Sequence, residues 1–206
     1  MPARLAEPRT DLTLKIALGG ESGVGKTSVI RRFVTNTFDD RYIETLGTKV
    51  SSRHFSVQDP ERSEVTHDVG AAVWDVMGTP GIRDILREAY YTNASGVLLV
   101  CDGMRLETLY ILPEWYDAIR SVCGDVPVVV LVNKADLATE KTVTQKAADA
   151  LCGPKGWSWL PTSAKTGDNV EVAFQLLVQL HLLKVRRTEA GTAGAEITAT
   201  SGSRNK

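Results

Sequence analysis

The segment Gly20-Glu21-Ser22-Gly23-Val24-Gly25-Lys26-Thr27 decides how this chain is read. It fits the phosphate-loop pattern Gly-x4-Gly-Lys-Ser/Thr without a mismatch. Upstream, Leu12, Leu14, Ile16 and Leu18 alternate with other residues at the period of a strand. Downstream, Val29, Ile30, Phe33 and Val34 fall at helical spacing. Strand, glycine-rich turn and helix, in that order, are the context the pattern requires. Glycines let the backbone curl so that successive N–H groups converge on an anion, and a helix N-terminus presents its own N–H groups to the same anion. The cradle runs from Glu21 through Ser22, Gly23, Val24 and Gly25 to Ser28. Lys26 adds a charge for the outer phosphates, and the Thr27 hydroxyl suits Mg²⁺. Alone, the motif specifies a nucleoside triphosphate and no particular base.

Working outward, residues 48–57 and 65–75 are rich in Val, Thr and Phe and flank the polar turn 58–64, which predicts a hairpin. The runs 96–101 and 126–132 are almost continuously apolar, as in strands buried on both faces of a parallel sheet. Helical patterns cover 82–91, 106–122, 144–151 and 170–185, with Pro113 either kinking the second or marking where its continuous part begins. Alternating strands and helices predict an α/β fold. The expected architecture is a mostly parallel six-stranded sheet, with one antiparallel hairpin strand and helices on both faces. The domain should occupy residues 11–187, between a loose arm at 1–10 and a small, polar, disordered tail at 188–206. Trp157 and Trp159, two apart on a strand-like stretch, read as core or edge packing first and as a partner surface second.

Composition narrows the function classes. With 206 residues, 43% hydrophobic and 24% charged, the chain holds a core that needs no disulfide or structural metal. Its net charge of −1 offers no overall basic field for nucleic acid. Cys101, Cys123 and Cys152 have neither paired nor metal-type spacing, which favours a reducing, cytoplasmic setting. No apolar run reaches membrane-spanning length, and neither terminus carries a readable lipid-acceptor motif, so no direct membrane anchor is expected.

The base is addressed later in the chain. Asn133-Lys134-Ala135-Asp136 follows the 126–132 run, at the strand end where open α/β sheets bind ligands. A carboxylate only accepts hydrogen bonds, so Asp136 matches the two N–H groups on guanine's N1/N2 edge; adenine has no such pair. Thr162-Ser163-Ala164-Lys165-Thr166-Gly167 follows another apolar stretch, and a backbone N–H there suits guanine O6.

With these residues in hand, the chain resembles the Ras-superfamily small GTPases, the Rab branch above all, over about residues 12–186. Five motifs occur in order: 20–27, Thr45 within 42–47, Trp74-Asp75-Val76-Met77-Gly78, 133–136 and 163–165. The resemblance implies a P-loop NTPase small G domain that binds GTP or GDP with Mg²⁺. It implies Thr27, Thr45 and Asp75 around the metal, with Asp75 acting through a water. It further implies the Gly78 N–H at the γ-phosphate, Tyr42 and Phe38 beside the nucleotide, and Lys134 and Lys165 along the base. A helix-end core role is the alternative for Phe38. Lys26, Thr45, Gly78 and Thr79 are the implied catalytic set. Effector, exchange-factor and activating proteins would read residues 39–50 and 76–91 on a monomer.

Three departures stand out. Thr79 follows Gly78 where the family carries its catalytic glutamine, and Pro80-Gly81 adds a turn signature. Prenylatable C-terminal cysteines are absent, and Val50 replaces an aromatic residue of the Rab effector patch. These leave two rivals to a slowly hydrolysing switch: a GTP-locked binding module, and a P-loop ATPase, which Asp136 disfavours.

Overall fold

In the computed structural model, which describes residues 9–39, 48–76, 87–137 and 142–201, the alternating segment forms β1, Arg9–Gly19. Leu14, Ile16 and Leu18 join a core on one face of the sheet, and Ala17 joins the core on the other. Successive side chains on a strand point to opposite faces, so one strand feeds two cores. The helix α1, Lys26–Thr35, packs on the first face. The expected hairpin is β2, Thr48–Gln58, antiparallel to β3, Thr66–Val76. After α2, Arg87–Tyr91, come β4, Gly96–Asp102, and, further on, β5, Val128–Asn133. Both β4 and β5 are buried at every residue, which is why their sequences are continuously apolar.

The described strands make one six-stranded sheet in the order β2-β3-β1-β4-β5-β6, with β6 at Ser158–Pro161. Every pairing except β2–β3 is parallel. Short α3, Glu107–Tyr110, with α4, Leu112–Cys123, and α5, Gln145–Cys152, cover the second face through Leu109, Trp115, Ile119 and Ala148. The long α6, Val170–Ser201, joins α1 on the first face, where Phe174 stacks on Phe33 with ring centroids 3.6 Å apart. Trp157 and Trp159 both pack against the second core. Cys101 and Cys152 are buried free thiols whose pKa values burial pushes up to about 12 and about 11.

Several boundaries differ from the sequence expectation, beginning with β1, which starts at Arg9 inside the expected arm because Arg9 and Thr10 already pair with β3. β5 starts at Val128, because Pro127 has no N–H for the ladder; its carbonyl still accepts from the Val97 N–H at 2.9 Å. The 106–122 pattern is split at Ile111, and Pro113 sits in the first turn of α4, where its missing N–H is no loss. α6 runs sixteen residues past Val185, where the large apolar stripe ends. Propagating an existing helix is far easier than starting one, and Ala and Glu in the extension suit it.

α6 is also tied to the outer hairpin by charge. Arg53 of β2 meets Glu171 at 2.6 Å, and Arg186 donates to buried Asp59 in the hairpin turn at 2.9 Å. Asp59 also pairs with His67 at 2.7 Å and takes the Glu61 and Arg62 N–H groups. The Arg186 hydrogen bonds hold the Asp59 carboxyl well below the usual range, against the opposing effect of burial.

Candidate nucleotide site

The loops after β1, β4, β5 and β6, and the C-terminal end of β3, meet at one edge of the sheet, where parallel α/β sheets bind ligands. Two glycines shape the first loop. A Cβ on Gly20, at φ 135°, would lie 2.2 Å from the Val100 carbonyl oxygen. A Cβ on Gly25, at φ 100°, would lie 2.3 Å from Asn133 Nδ2. Only glycine fits either place. Among the described residues no side chain caps the N-terminus of α1, so the loop-helix junction keeps its anion-binding character.

Within this loop Val24 is wholly buried, Ser22 and Gly23 are exposed at the mouth, and Ser28 is half-buried on α1. The Lys26 ammonium donates to Gly20 O at 2.7 Å and to Glu21 O at 2.8 Å, which uses two of its three donors on the rim of the loop. Burial lowers its pKa to about 8, opposed by the charges of Asp75 and Glu21. Thr27 Oγ1 donates to Asp75 Oδ2 at 2.6 Å. Asp75 Oδ1 is buried and has no hydrogen-bond partner among the described residues. Burial raises the Asp75 carboxyl, opposed by the Thr27 hydroxyl and the charges of Lys26 and Lys49.

Asn133 joins this loop to the base loops. Its Nδ2 donates to Val24 O at 2.9 Å, and its Oδ1 accepts from the Ala164 N–H at 3.1 Å. Ser163 Oγ donates to Asp136 Oδ1 at 2.6 Å, which leaves the exposed carboxylate a second oxygen, while Lys165 is exposed beside it. Lys134, at φ 66°, turns its ammonium onto Asp102 Oδ2 at 2.7 Å.

Seven contacts around the site have no counterpart in the sequence reading. Asp102, the first polar residue after the β4 run, takes Lys134, Arg105 Nε at 3.0 Å and the Met104 N–H. Burial works to raise its carboxyl, and those hydrogen bonds outweigh it and hold the pKa below the ordinary value. Arg105 also reaches Ser22 O at 3.1 Å. Glu21 accepts from the Trp115 indole at 2.9 Å. Arg32 of α1 donates to Ala164 O at 2.8 Å and also to Lys165 O. The acidic end of a buried strand is a readable signal for Asp102; nothing in the local sequence around Arg32 or Trp115 marks them as site residues.

Phe38 is half-buried and packed against the first core. On the far side of the sheet edge, Trp74 lies 6.3 Å from Tyr90 and pairs in register with exposed Val50. Tyr42, Thr45, Gly78 and Thr79 fall outside the described residues.

Comparison with known proteins agrees with this layout. The Ras family model matches residues 15–182. Ras-related protein RABD2b of Arabidopsis thaliana is 31% identical over 190 residues, covering 92% of this chain and 89% of the relative. Rab-25 of Bos taurus is 32% identical over 189 residues, covering 91% and 85%. Ras-related protein YPTC6 of Chlamydomonas reinhardtii is 34% identical over 169 residues, covering 82% and 74%. With the six-stranded mixed sheet, the glycine-shaped loop and these relatives in agreement, the chain belongs to the Ras family, as a Rab-like small GTPase with the P-loop fold of a small G domain.

Proposed function

We propose that the chain is a molecular switch that binds GTP and GDP with Mg²⁺, hydrolyses GTP slowly, and signals to partner proteins through residues 39–50 and 76–91. The observation that carries this reading is the Asn133 bridge between the phosphate loop and the base loop. A nucleotide lying across both loops then meets one braced surface, so its phosphates and its base are held in fixed relation.

Each residue has a defined task in this reading. The backbone from Glu21 to Ser28 cradles the phosphates, and Lys26 gives its remaining donor and its charge to the outer ones. Asp136 accepts from guanine's N1/N2 edge, with Ser163 fixing the carboxylate by its hydroxyl. The Ala164 N–H is turned to Asn133 Oδ1, which fixes the 162–167 loop whose backbone would serve guanine O6.

The residues present suit Mg²⁺. Asp75 carries a buried carboxylate oxygen without a partner among the described residues, next to the Thr27 hydroxyl. Magnesium retains waters and is usually held by few protein ligands plus phosphate, which matches so small a donor set. When bound, it neutralises charge on the phosphate oxygens. Thr27 and Asp75 would hold it, with Thr45 closing over it.

Slow hydrolysis follows from Thr79, which stands where a glutamine would orient the attacking water. The half-buried Trp74 and Tyr90, beside exposed Val50, support a partner-binding surface next to the switch segments. The test is the nucleotide content of freshly purified protein, with GDP and ADP affinities measured side by side. Bound guanine nucleotide and strong preference for GDP are expected. Equal affinity for ADP would move the chain to the P-loop ATPase reading, and retained GTP with no turnover would make it a locked module.

A further inference from the structure

At the edge of the sheet opposite the nucleotide loops, a cleft of about 580 Å³ opens between α4 and its end, the start of β5, the loop before β6 and the middle turns of α6. That volume lies in the range of small-molecule and side-chain pockets. Its floor is apolar and aromatic. Buried Tyr116 meets the Trp157 ring edge-on, with centroids 5.0 Å apart, beside Val128, Leu180 and Leu183.

The rim is basic. Arg120, Lys155, Lys184 and Arg187 line the cleft against two carboxylates, Asp117 and Asp125. Asp125 is already matched: Lys184 Nζ sits 2.6 Å from its Oδ2, and the Tyr116 hydroxyl donates to its Oδ1 at 3.1 Å. Lys155 lies over the Trp157 ring, 5.4 Å from its centroid. The guanidinium groups of Arg120 and Arg187 are exposed and make no hydrogen bond or close ion pair among the described residues, although the Arg120 charge acts on neighbouring Asp125 and Tyr116. A concentration of cations is notable on a chain whose net charge is −1.

We infer that this cleft is a docking site for a peptide segment of a partner protein in which an aromatic or large apolar side chain is flanked by carboxylates. The apolar side chain would enter beside Trp157 and Tyr116, and the carboxylates would meet the guanidinium groups of Arg120 and Arg187, which suit bidentate pairing. A membrane surface is the poorer match, because a flat layer of headgroups cannot follow cations arranged around a concavity.

The position makes a distinctive demand. Val128, at the cleft, and Asn133, at the nucleotide loops, are opposite ends of β5, about 17 Å apart at strand rise. None of the lining residues belongs to 39–50 or 76–91. Binding here is therefore independent of which guanine nucleotide is held, unlike effector binding through the switch segments, and it does not rest on the switch reading.

The test is an NMR titration of the full ¹⁵N-labelled chain with the acetylated, amidated peptide Glu-Asp-Phe-Asp-Glu, in both GDP-loaded and GTP-analogue-loaded forms. Its counterpart with lysines for the acids and vesicles of mixed neutral and anionic phospholipid are run in parallel. Saturable shifts centred on the Trp157 indole are expected with the acidic peptide, equal in the two nucleotide states. They should weaken at least tenfold in the Arg120→Glu/Arg187→Glu protein, and in Lys155→Glu as a second, independent surface change. Retained GDP binding reports that each variant is folded. Absence of saturation at millimolar peptide, equal binding of the lysine peptide, or insensitivity to the charge reversals overturns the inference. Vesicle binding that the reversals abolish, without peptide binding, would reassign the cleft to a lipid surface.

Discussion

Arg32, on the helix that follows the phosphate loop, donates from Nε to the carbonyl oxygen of Ala164, in the loop that addresses the base, at 2.8 Å. Its other guanidinium nitrogens reach Lys165 O and Asn36 O. Arg32 and Asn133 therefore grip the 163–165 loop from two sides. Arg32→Ala removes a charge-assisted clamp worth about 1–2 kcal/mol. GDP and GTP should both dissociate roughly fivefold to thirtyfold faster, because the lost restraint is on the base side. Stopped-flow release of a fluorescent guanine nucleotide checks this; an effect on GTP alone would contradict it.

Asp136→Asn removes the acceptor for guanine's N1/N2 edge and leaves those donors unpaired, at a cost of about 1–3 kcal/mol or more. GDP affinity should fall by roughly fivefold to 150-fold or more. Xanthosine nucleotides should gain, since their C2 carbonyl accepts where guanine donates. Competition binding of the two nucleotides on the variant reads this directly, and unchanged GDP affinity would refute the assignment.

Nucleotide binding should be linked to pH through Lys26. In the protein described here burial holds its pKa at about 8, below the ordinary 10.5. Phosphate raises it on binding. Below pH 8 Lys26 is charged in both states and contributes no pH dependence. Above pH 8, binding takes up as much as one proton, so affinity falls by up to about tenfold per pH unit until the bound-state pKa is reached. The nucleotide-free fold shows the opposite sign. Its unfolded chain binds more protons between about 8 and 10.5, so this lysine's contribution to stability rises with pH there. GDP calorimetry at pH 7 to 9.5, in buffers of differing ionisation heat, gives the proton count; Lys26→Ala should abolish it.

Intrinsic hydrolysis should be at or below about 10⁻⁴ s⁻¹, the level of an unassisted Ras-type switch. Thr79 is shorter than glutamine, and Pro80 after it biases its backbone towards an extended form. Single-turnover hydrolysis with Mg²⁺ measures the rate. A partner-free value of about 10⁻² s⁻¹ or faster would mean that another group on this chain orients the water or stabilises charge. Thr79→Gln would then slow the reaction.

Local residue order was enough to determine the strand–loop–helix unit around 20–27, the two-sided β4 and β5, the hairpin, and the polar turn Asn133–Asp136 at the end of β5. Each rests on short-range physics: period-two burial, glycine's conformational range, and the donor-acceptor character of single side chains. Pro127 and Pro113 corrected boundaries for equally local reasons. Partnerships between distant residues were decided only by the tertiary structure. Family resemblance implies Lys134 along the base, and only the tertiary structure shows its ammonium on Asp102, thirty-two residues upstream. Arg32 and Ala164 are separated by 132 positions, and Trp115 and Glu21 by 94. A side chain's periodicity tells which face it occupies, but its hydrogen-bond partner depends on which strand ends the sheet order brings to the same edge. The basic cleft is the same kind of object. Arg120, Lys155 and Arg187 are unremarkable surface charges along the chain, and they become one site only where α4, the loop before β6 and α6 converge.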